Sequence, residues 1–268
     1  DSVEDHESKY HDVINNFESL DNLPVVVGTL HSMLTPFVAS YKRNNPDKKI
    51  AYIMTDGAAL PLYLSMNVKN LKQNGLIDST ITIGNAFGGD YECINIYTGL
   101  ITAKEIAKAD VVFVSMGPGI AGTGTKYGFT GIEQGQILDA VKKLGGNPIA
   151  IPRISFADKR DRHQGISHHS ITVFDKIVNV DVNIPITIYE SQKLNKIKEQ
   201  IKENKLDEKH NIIFIENNKC KEDLEYFGLK VKSMGRNYDE DSEFFDSASS
   251  AAYYLMEVCH DWERKYCK

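Results

Sequence analysis

The stretch ADVVFVSMGPGIAGTGTKYGFTG, residues 109–131, decides how the chain is read. Its first third is a continuous apolar run and the remainder is crowded with glycine. An uninterrupted run, unlike an alternating one, suits a strand covered on both faces, as in a parallel sheet. The same pattern recurs at Pro24–Gly28 (PVVVG), Lys49–Met54 (KIAYIM), Thr80–Gly84 (TITIG) and Pro148–Ile154 (PIAIPRI). Later runs at Val180–Ile188 and Ile212–Glu216 read as further strands. Helical patterns fill the gaps. Pro36 and Pro61 fall where a first helical turn tolerates proline. Asp90 is placed to cap a helix over 91–108, and Glu133–Leu144 stops at Gly145-Gly146. In Ser191–Lys205, Leu194, Ile197 and Ile201 share one face, and in Ser247–Tyr266 the stripe is Ala248, Ala252, Leu255, Cys259 and Trp262. Alternating strands and helices predict an α/β fold with a doubly wound, mainly parallel, Rossmann-like sheet. The expected organisation is an N-terminal helical or irregular segment over 1–22, a core over 23–178, and a C-terminal α/β portion over 179–268. That last portion belongs to the same sheet or to a second lobe.

Composition narrows the function classes. A net charge of −6 and a pI near 5.8 speak against nucleic-acid binding, which draws on a basic excess. No apolar stretch approaches the ~20 residues that span a bilayer, so no membrane partner is expected. The N-terminus DSVEDHESKYHDVINNF is too polar for a signal peptide. Cys93, Cys220, Cys259 and Cys267 have neither CxxC nor zinc spacing and read as reduced thiols of a cytoplasmic protein. Cys259 and Cys267, on one helix, would lie about 12 Å apart, too far for a disulfide.

In open parallel sheets ligands bind where the loops after the strands converge. Here those loops carry Thr29-Leu30-His31-Ser32, Thr55-Asp56-Gly57, Phe87-Gly88-Gly89-Asp90, the glycine run, and Arg153 through His169. The opposite loops carry an ordinary surface mixture. Residues 116–136 hold seven of the nineteen glycines. Gly117-Pro118-Gly119-Ile120-Ala121-Gly122 matches G-x-G-x-x-G, but no helix opens there and the strand is the fourth, so a dinucleotide fingerprint is weak. A P-loop fails because Lys126 comes one residue late. What remains is an anion-binding nest of amides involving Gly117, Gly119, Gly122, Thr123, Gly124 and Thr125, or else a lid or tight turn.

The segment RISFADKRDRHQGISHH, residues 153–169, reads as a long loop with three of the eight histidines and four Arg/Lys against two Asp. Arg153 and Arg160 suit a phosphate or carboxylate, with Asp158 and Ser167 beside them. His163, His168 and His169 suit proton transfer, with Asp56 as orienting or catalytic partner. A solvated charged loop is the plainer alternative. His31, Asp56 and Asp90 admit a divalent metal, or simple helix capping by the two carboxylates. His6, His11, His210 and His260 sit in unremarkable polar contexts.

Five segments, VVVGTLHSMLTP, MTDGAALP, NAFGGDYECIN, MGPGIAGTGTKYGFTGIEQG and RISFADKRDRHQGISHHS, resemble, in the same order, a bacterial family catalogued as domain-of-unknown-function family 3866. The likeness is close over about 20–175 and looser over 180–268. Members of that family carry a further N-terminal portion before PVVVG, so the chain reads as missing most of it. The resemblance implies one site built from these motifs and no particular activity. The leading expectation is a hydrolytic or phosphoryl-transfer enzyme for a small anionic metabolite, phosphorylated or a nucleotide. The ligand-binding set is Thr29, His31, Ser32, Gly57, the glycine run, Arg153, Asp158, Arg160 and Ser167. The alternative is a ligand-sensing or scaffolding protein using the same pocket. Cofactor and oligomeric state stay open, a divalent metal and a homo-oligomer among the options.

Overall fold

The computed structural model describes residues 2–57 and 60–266, with side chains through residue 258. Ahead of the sheet lies a short helix α1 (His11–Asn15). The chain then runs β1 (Pro24–Val27), α2 (Leu34–Asn44), β2 (Ile50–Thr55), α3 (Met66–Gln73), β3 (Ser79–Ile83), β4 (Tyr91–Cys93) and α4 (Ile96–Glu105). There follow β5 (Val111–Met116), α5 (Glu133–Lys143), β6 (Asn147–Ala150), β7 (Ile154–Ser155), β8 (Gly165–Ile166) and α6 (His168–Thr172). The remainder is β9 (Asn183–Thr187), α7 (Ser191–Glu203), α8 (Leu206–Lys209), β10 (Asn211–Ile215), α9 (Cys220–Tyr226) and α10 (Ser242–Tyr266).

Eight strands form one sheet in the order β10-β9-β6-β1-β5-β2-β3-β4, and every neighbouring pair is parallel. Val27 lies opposite Val114 on one side and Ala150 on the other. Because alternate residues point to opposite faces, each apolar run supplies both layers of core. Val25, Val27, Ile53, Val112 and Val114 pack under α4, α5 and α7 through Leu100, Leu138, Val141 and Ile197. Val26, Tyr52, Met54 and Phe113 pack on the other face under α2, α3 and α10, against Phe37, Val38, Leu71, Ala248 and Ala252. The fold is thus α/β and doubly wound, and β9 and β10 extend the same sheet.

Two local expectations change. Residues 91–93 form an edge strand, and the helix starts at Ile96 behind Asn95, whose side chain accepts from the Tyr97 and Thr98 amides. Asp90 does not cap it. Its carboxylate accepts from the Thr80 amide and hydroxyl at 2.8 and 2.9 Å and is paired with Lys72 at 2.6 Å. Residues 153–169 are also no open loop, because β7 and β8 pair antiparallel and α6 begins at His168. Polar composition concealed this compact turn, which closes on its own backbone and is braced by Gln200 of α7. Cys93 and Cys220 are buried thiols; the readings on Cys259, Cys267, His260 and Trp262 lie outside the described side chains. Among the described residues no helix is long and apolar enough to cross a membrane.

Candidate functional site

After β1 the chain turns into α2 on one face, and after β5 it heads for α5 on the other. The adjacent ends of β1 and β5 are therefore the switch point where a doubly wound sheet opens a crevice. A cavity of about 210 Å³ lies there. Thr29 and Leu30 enter it from the β1 end, and Ile120, Ala121, Gly122, Gly124 and Phe129 from the β5 end. Arg153, Arg160, Arg162, His163, Ser167, His168, His169 and Ser170 enter after β6, with Met234 from the segment before α10.

Hydrogen bonds fasten the histidine-bearing segment. The Arg153 amide donates to Ser170 Oγ and the Ser167 amide to the Arg153 carbonyl, both at 2.9 Å, closing the turn on itself. Gln200 of α7 accepts from the Ile166 amide at 2.8 Å and donates to the Gln164 and Ile166 carbonyls at 3.1 Å. Ser167 caps α6 by accepting from the Ser170 amide. His168 and His169 open that helix, and His163 ends a tight turn over Asp161–His163. The three rings cluster, with centroids 4.7 Å (His163–His168), 5.8 Å (His163–His169) and 4.0 Å (His168–His169) apart. Phe129 stacks on His169 at 4.2 Å.

The partners assign the protons. Arg153 Nη1 donates to His163 Nδ1 at 3.3 Å, so a neutral His163 carries its hydrogen on Nε2. His168 Nδ1 lies 3.2 Å from the Arg162 carbonyl, which only accepts, so His168 keeps a free lone pair on Nε2. Burial first, then Arg153, pulls His163 down to about 4. Burial, then His168 and Arg153, does the same to His169. His168 is shifted down as well, chiefly by burial. At neutral pH all three are uncharged beside cationic guanidinium groups.

Asp158 organises those cations. It accepts from Arg160 Nε and Nη2 at 3.0 and 2.8 Å, with Arg153 Nη2 at 3.7 Å and Arg236 Nη2 at 3.8 Å. The Arg160 bonds hold its carboxyl well below the usual range. Arg236 also donates to Asp241 at 2.6 Å, which Ser155 joins at 2.7 Å. Arg153 is nine-tenths buried, yet its Nε–H has no partner among the described residues. The wall thus carries Arg153, Arg160 and Arg162, of which Arg153 and Arg160 share the Asp158 carboxylate with Arg236.

The glycine run is a flap. Ala121–Thr123 returns alongside Gly128–Thr130, with the Thr123 amide bonded to the Gly128 carbonyl at 2.7 Å and the Thr130 amide to the Ala121 carbonyl at 2.9 Å. Gly119 (φ +108) and Gly124 (φ +77) supply the left-handed turns that fold it back. The Ala121 amide donates to Thr130 Oγ1 and the Thr123 amide to the Gly128 carbonyl, so Thr123 is the one residue of the expected nest whose amide the flap itself takes up. The Thr123 and Thr125 hydroxyls bond each other at 2.9 Å, and neither residue lines the cavity.

Of the expected site residues, Thr29, Gly122, Gly124, Arg153, Arg160, Ser167 and the three histidines come together. Asp158 stands behind the arginines, and Gly117 and Gly119 lie at the base of the flap outside the cavity lining. Ser32 donates to Ser233 at 2.9 Å, and Gly57 lies beside Met116. Asp56 faces a separate cavity of about 250 Å³ with Glu133 and accepts from Asn85. It lines a different cavity from the histidines it was expected to orient. His31 is buried between Tyr52 and Ser65. The rim divides because β5 sits between β1 and β2, so the flap rises between their loops. Accordingly His31, Asp56 and Asp90 occupy three distinct networks and do not converge on a metal. Among the described residues no group of three or more His, Cys, Asp or Glu is placed to hold one.

Several lining residues were not singled out from sequence. Arg162 and Phe129 sat within the segments already highlighted, and their charge and aromaticity were available signals. Met234 had none, because its contact with Arg153 Nη2 at 3.1 Å spans 81 positions.

No curated protein matches the chain. The family model described as protein of unknown function (DUF3866) matches residues 1–252, including 1–19 and the stretch after 180 where the motifs are looser. Matched over nearly its whole length by that model, and carrying the five motifs in order, the chain belongs to the DUF3866 family.

Proposed function

We propose that the cavity between β1, β5 and β6 binds a small phosphorylated metabolite and hydrolyses it or transfers its phosphoryl group. The observation that carries this reading is Arg153, nine-tenths buried with its Nε–H unpaired, in a wall shared with Arg160 and Arg162. A buried donor without a partner is costly, and an anion in the cavity would satisfy it. The volume of about 210 Å³ holds about seven waters, which favours a phosphate on a few carbons over a whole nucleotide.

In this reading the arginines hold the non-bridging oxygens. His168 Nε2 takes the proton of the attacking water or hydroxyl as its oxygen bonds to phosphorus. The bond to the leaving oxygen then breaks, and His168 returns the proton to it. His163 Nε2–H donates to an oxygen of the transferring group. The flap and Phe129 exclude water around the histidines.

Calorimetric titration with inorganic phosphate, pyrophosphate and small phosphomonoesters, alongside a phosphate-release assay, tests this. Arg153→Gln should weaken binding about 10- to 100-fold, the loss of a charge-assisted bond. His168→Asn should bind within a few-fold of wild type and lose about 100-fold or more of turnover. Binding without turnover in the wild type would turn the reading into ligand sensing. No binding of any phosphate compound would end it.

A further inference from the structure

His31 is one of the sequence-highlighted residues that the cavity leaves out, and its own contacts form an ordered chain. Ser115 Oγ donates to the Met116 carbonyl at 3.2 Å, so toward Tyr52, 3.3 Å away, it accepts. Tyr52 therefore spends its hydrogen on Ser115 and receives the His31 Nδ1–H at 2.9 Å. That leaves His31 Nε2 as an acceptor, and the Ser65 hydroxyl, in short contact with it, as the donor. Ser65 Oγ also accepts from the Val68 amide at 3.1 Å, which occupies one lone pair and leaves the other free. Burial pulls His31 down to about 4, so the imidazole is neutral at physiological pH.

Ser65 lines a cavity of about 370 Å³, apart from the arginine-walled one, with Leu62, Tyr63 and Val68 on one side and Lys69, Gln73, Thr80 and the Asp90-paired Lys72 on the other. Around it Tyr63, Leu64, Met66 and Phe87 are exposed large hydrophobic side chains, drawn together by the Leu62 amide's bond to the Phe87 carbonyl. Directly after Ser65, the Met66 and Asn67 amides open α3 and have no acceptor within the helix. A hydroxyl on a neutral imidazole, a fixed orienting group, helix-opening amides and a hollow with an apolar wall are the parts of a nucleophilic serine centre.

We propose that Ser65 is a nucleophile activated by His31 and oriented through Tyr52, and that it accepts acyl groups from uncharged esters with a short apolar acyl chain. Ser65 Oγ bonds to the carbonyl carbon while its proton passes to His31 Nε2. The carbon–oxygen bond to the alcohol breaks, and His31 protonates the leaving alkoxide. Water, deprotonated by the same nitrogen, then releases the acid and restores Ser65. A phenol stabilises the imidazolium less than a carboxylate does, so acylation is the readily measured step.

The full chain, treated with a short-alkyl fluorophosphonate and with p-nitrophenyl butyrate and then mapped by peptide mass, tests the proposal. One adduct on Ser65 is expected, absent in Ser65→Ala and formed about 100-fold more slowly in His31→Asn. Tyr52→Phe removes the acceptor for Nδ1–H, so the labelling rate should fall and its acid limb should move to lower pH. Because Ser65 also caps α3, Ser65→Cys provides a second variant, whose thiol should react with iodoacetamide faster than in the His31→Asn background. Wild type left unlabelled at Ser65 while folded by circular dichroism would overturn the proposal. So would labelling unchanged by His31→Asn, or a Ser65→Cys thiol indifferent to His31.

Discussion

A histidine beside arginine resists protonation, and His163 and His169, pulled down to about 4, tie the fold to pH. Their folded values lie below the unfolded one, so the unfolded chain binds more protons. The stability they contribute is present above about 6.5 and is lost as pH falls toward 4. Glu133 works the other way. Burial first, and then Asp56, pushes it up to about 6, although Thr55 donates to it. Its contribution is full below the ordinary carboxyl value and disappears as pH rises through 6. Glu133→Gln keeps an acceptor for Thr55, so this variant should be more stable than wild type at pH 8 and gain little at pH 5. Urea unfolding midpoints across that range would check it, and a variant equal to wild type at both ends would refute the assignment.

Among elements, short polar connections are where expectation and structure part. The helix expected over 91–108 begins at Ile96 because Asp90 is used by Thr80 and Lys72, and this anchors a three-residue strand at the sheet edge. Asp90 is partly exposed, so Asp90→Asn should cost about 1 kcal/mol, discounted for solvent, and shift the thermal midpoint accordingly. No change in midpoint would mean that pairing alone holds β4. The glycine run behaves similarly. Its composition permitted an anion-binding nest, a lid or a tight turn, and bonds between residues 121–123 and 128–130 fold it back into a flap.

At the scale of the whole molecule, one buried strand joins both proposed activities to the core. Phe113 in β5 is fully buried, with Phe37 at 5.2 Å and Tyr52 at 6.3 Å between ring centroids. Phe113→Ala should destabilise by about 3–5 kcal/mol through lost burial and a residual cavity. Calorimetric unfolding would measure this, and a loss under 1 kcal/mol would mean that the core collapses into the space. Tyr52 also holds His31, so Phe113→Ala should slow Ser65 labelling even under conditions where the protein is folded.

Continuous apolar runs with helical segments between them were sufficient to place seven of the eight main-sheet strands and to make the sheet parallel and doubly wound. Those features follow from local patterning, because burial on both faces demands apolar residues at every position. The arginine and histidine cluster was legible for the same reason, since residues 153–169 are close in the chain and remain close when folded. Which strand ends share a cavity depended on strand order. Inserting β5 between β1 and β2 separates Asp56 from the histidines, and nothing local encodes that insertion. The Met234 contact and the run from Ser65 through His31 and Tyr52 to Ser115 likewise arise from packing between distant segments. Hydrogen-bond partners are chosen by proximity in space, and only the folded chain supplies it.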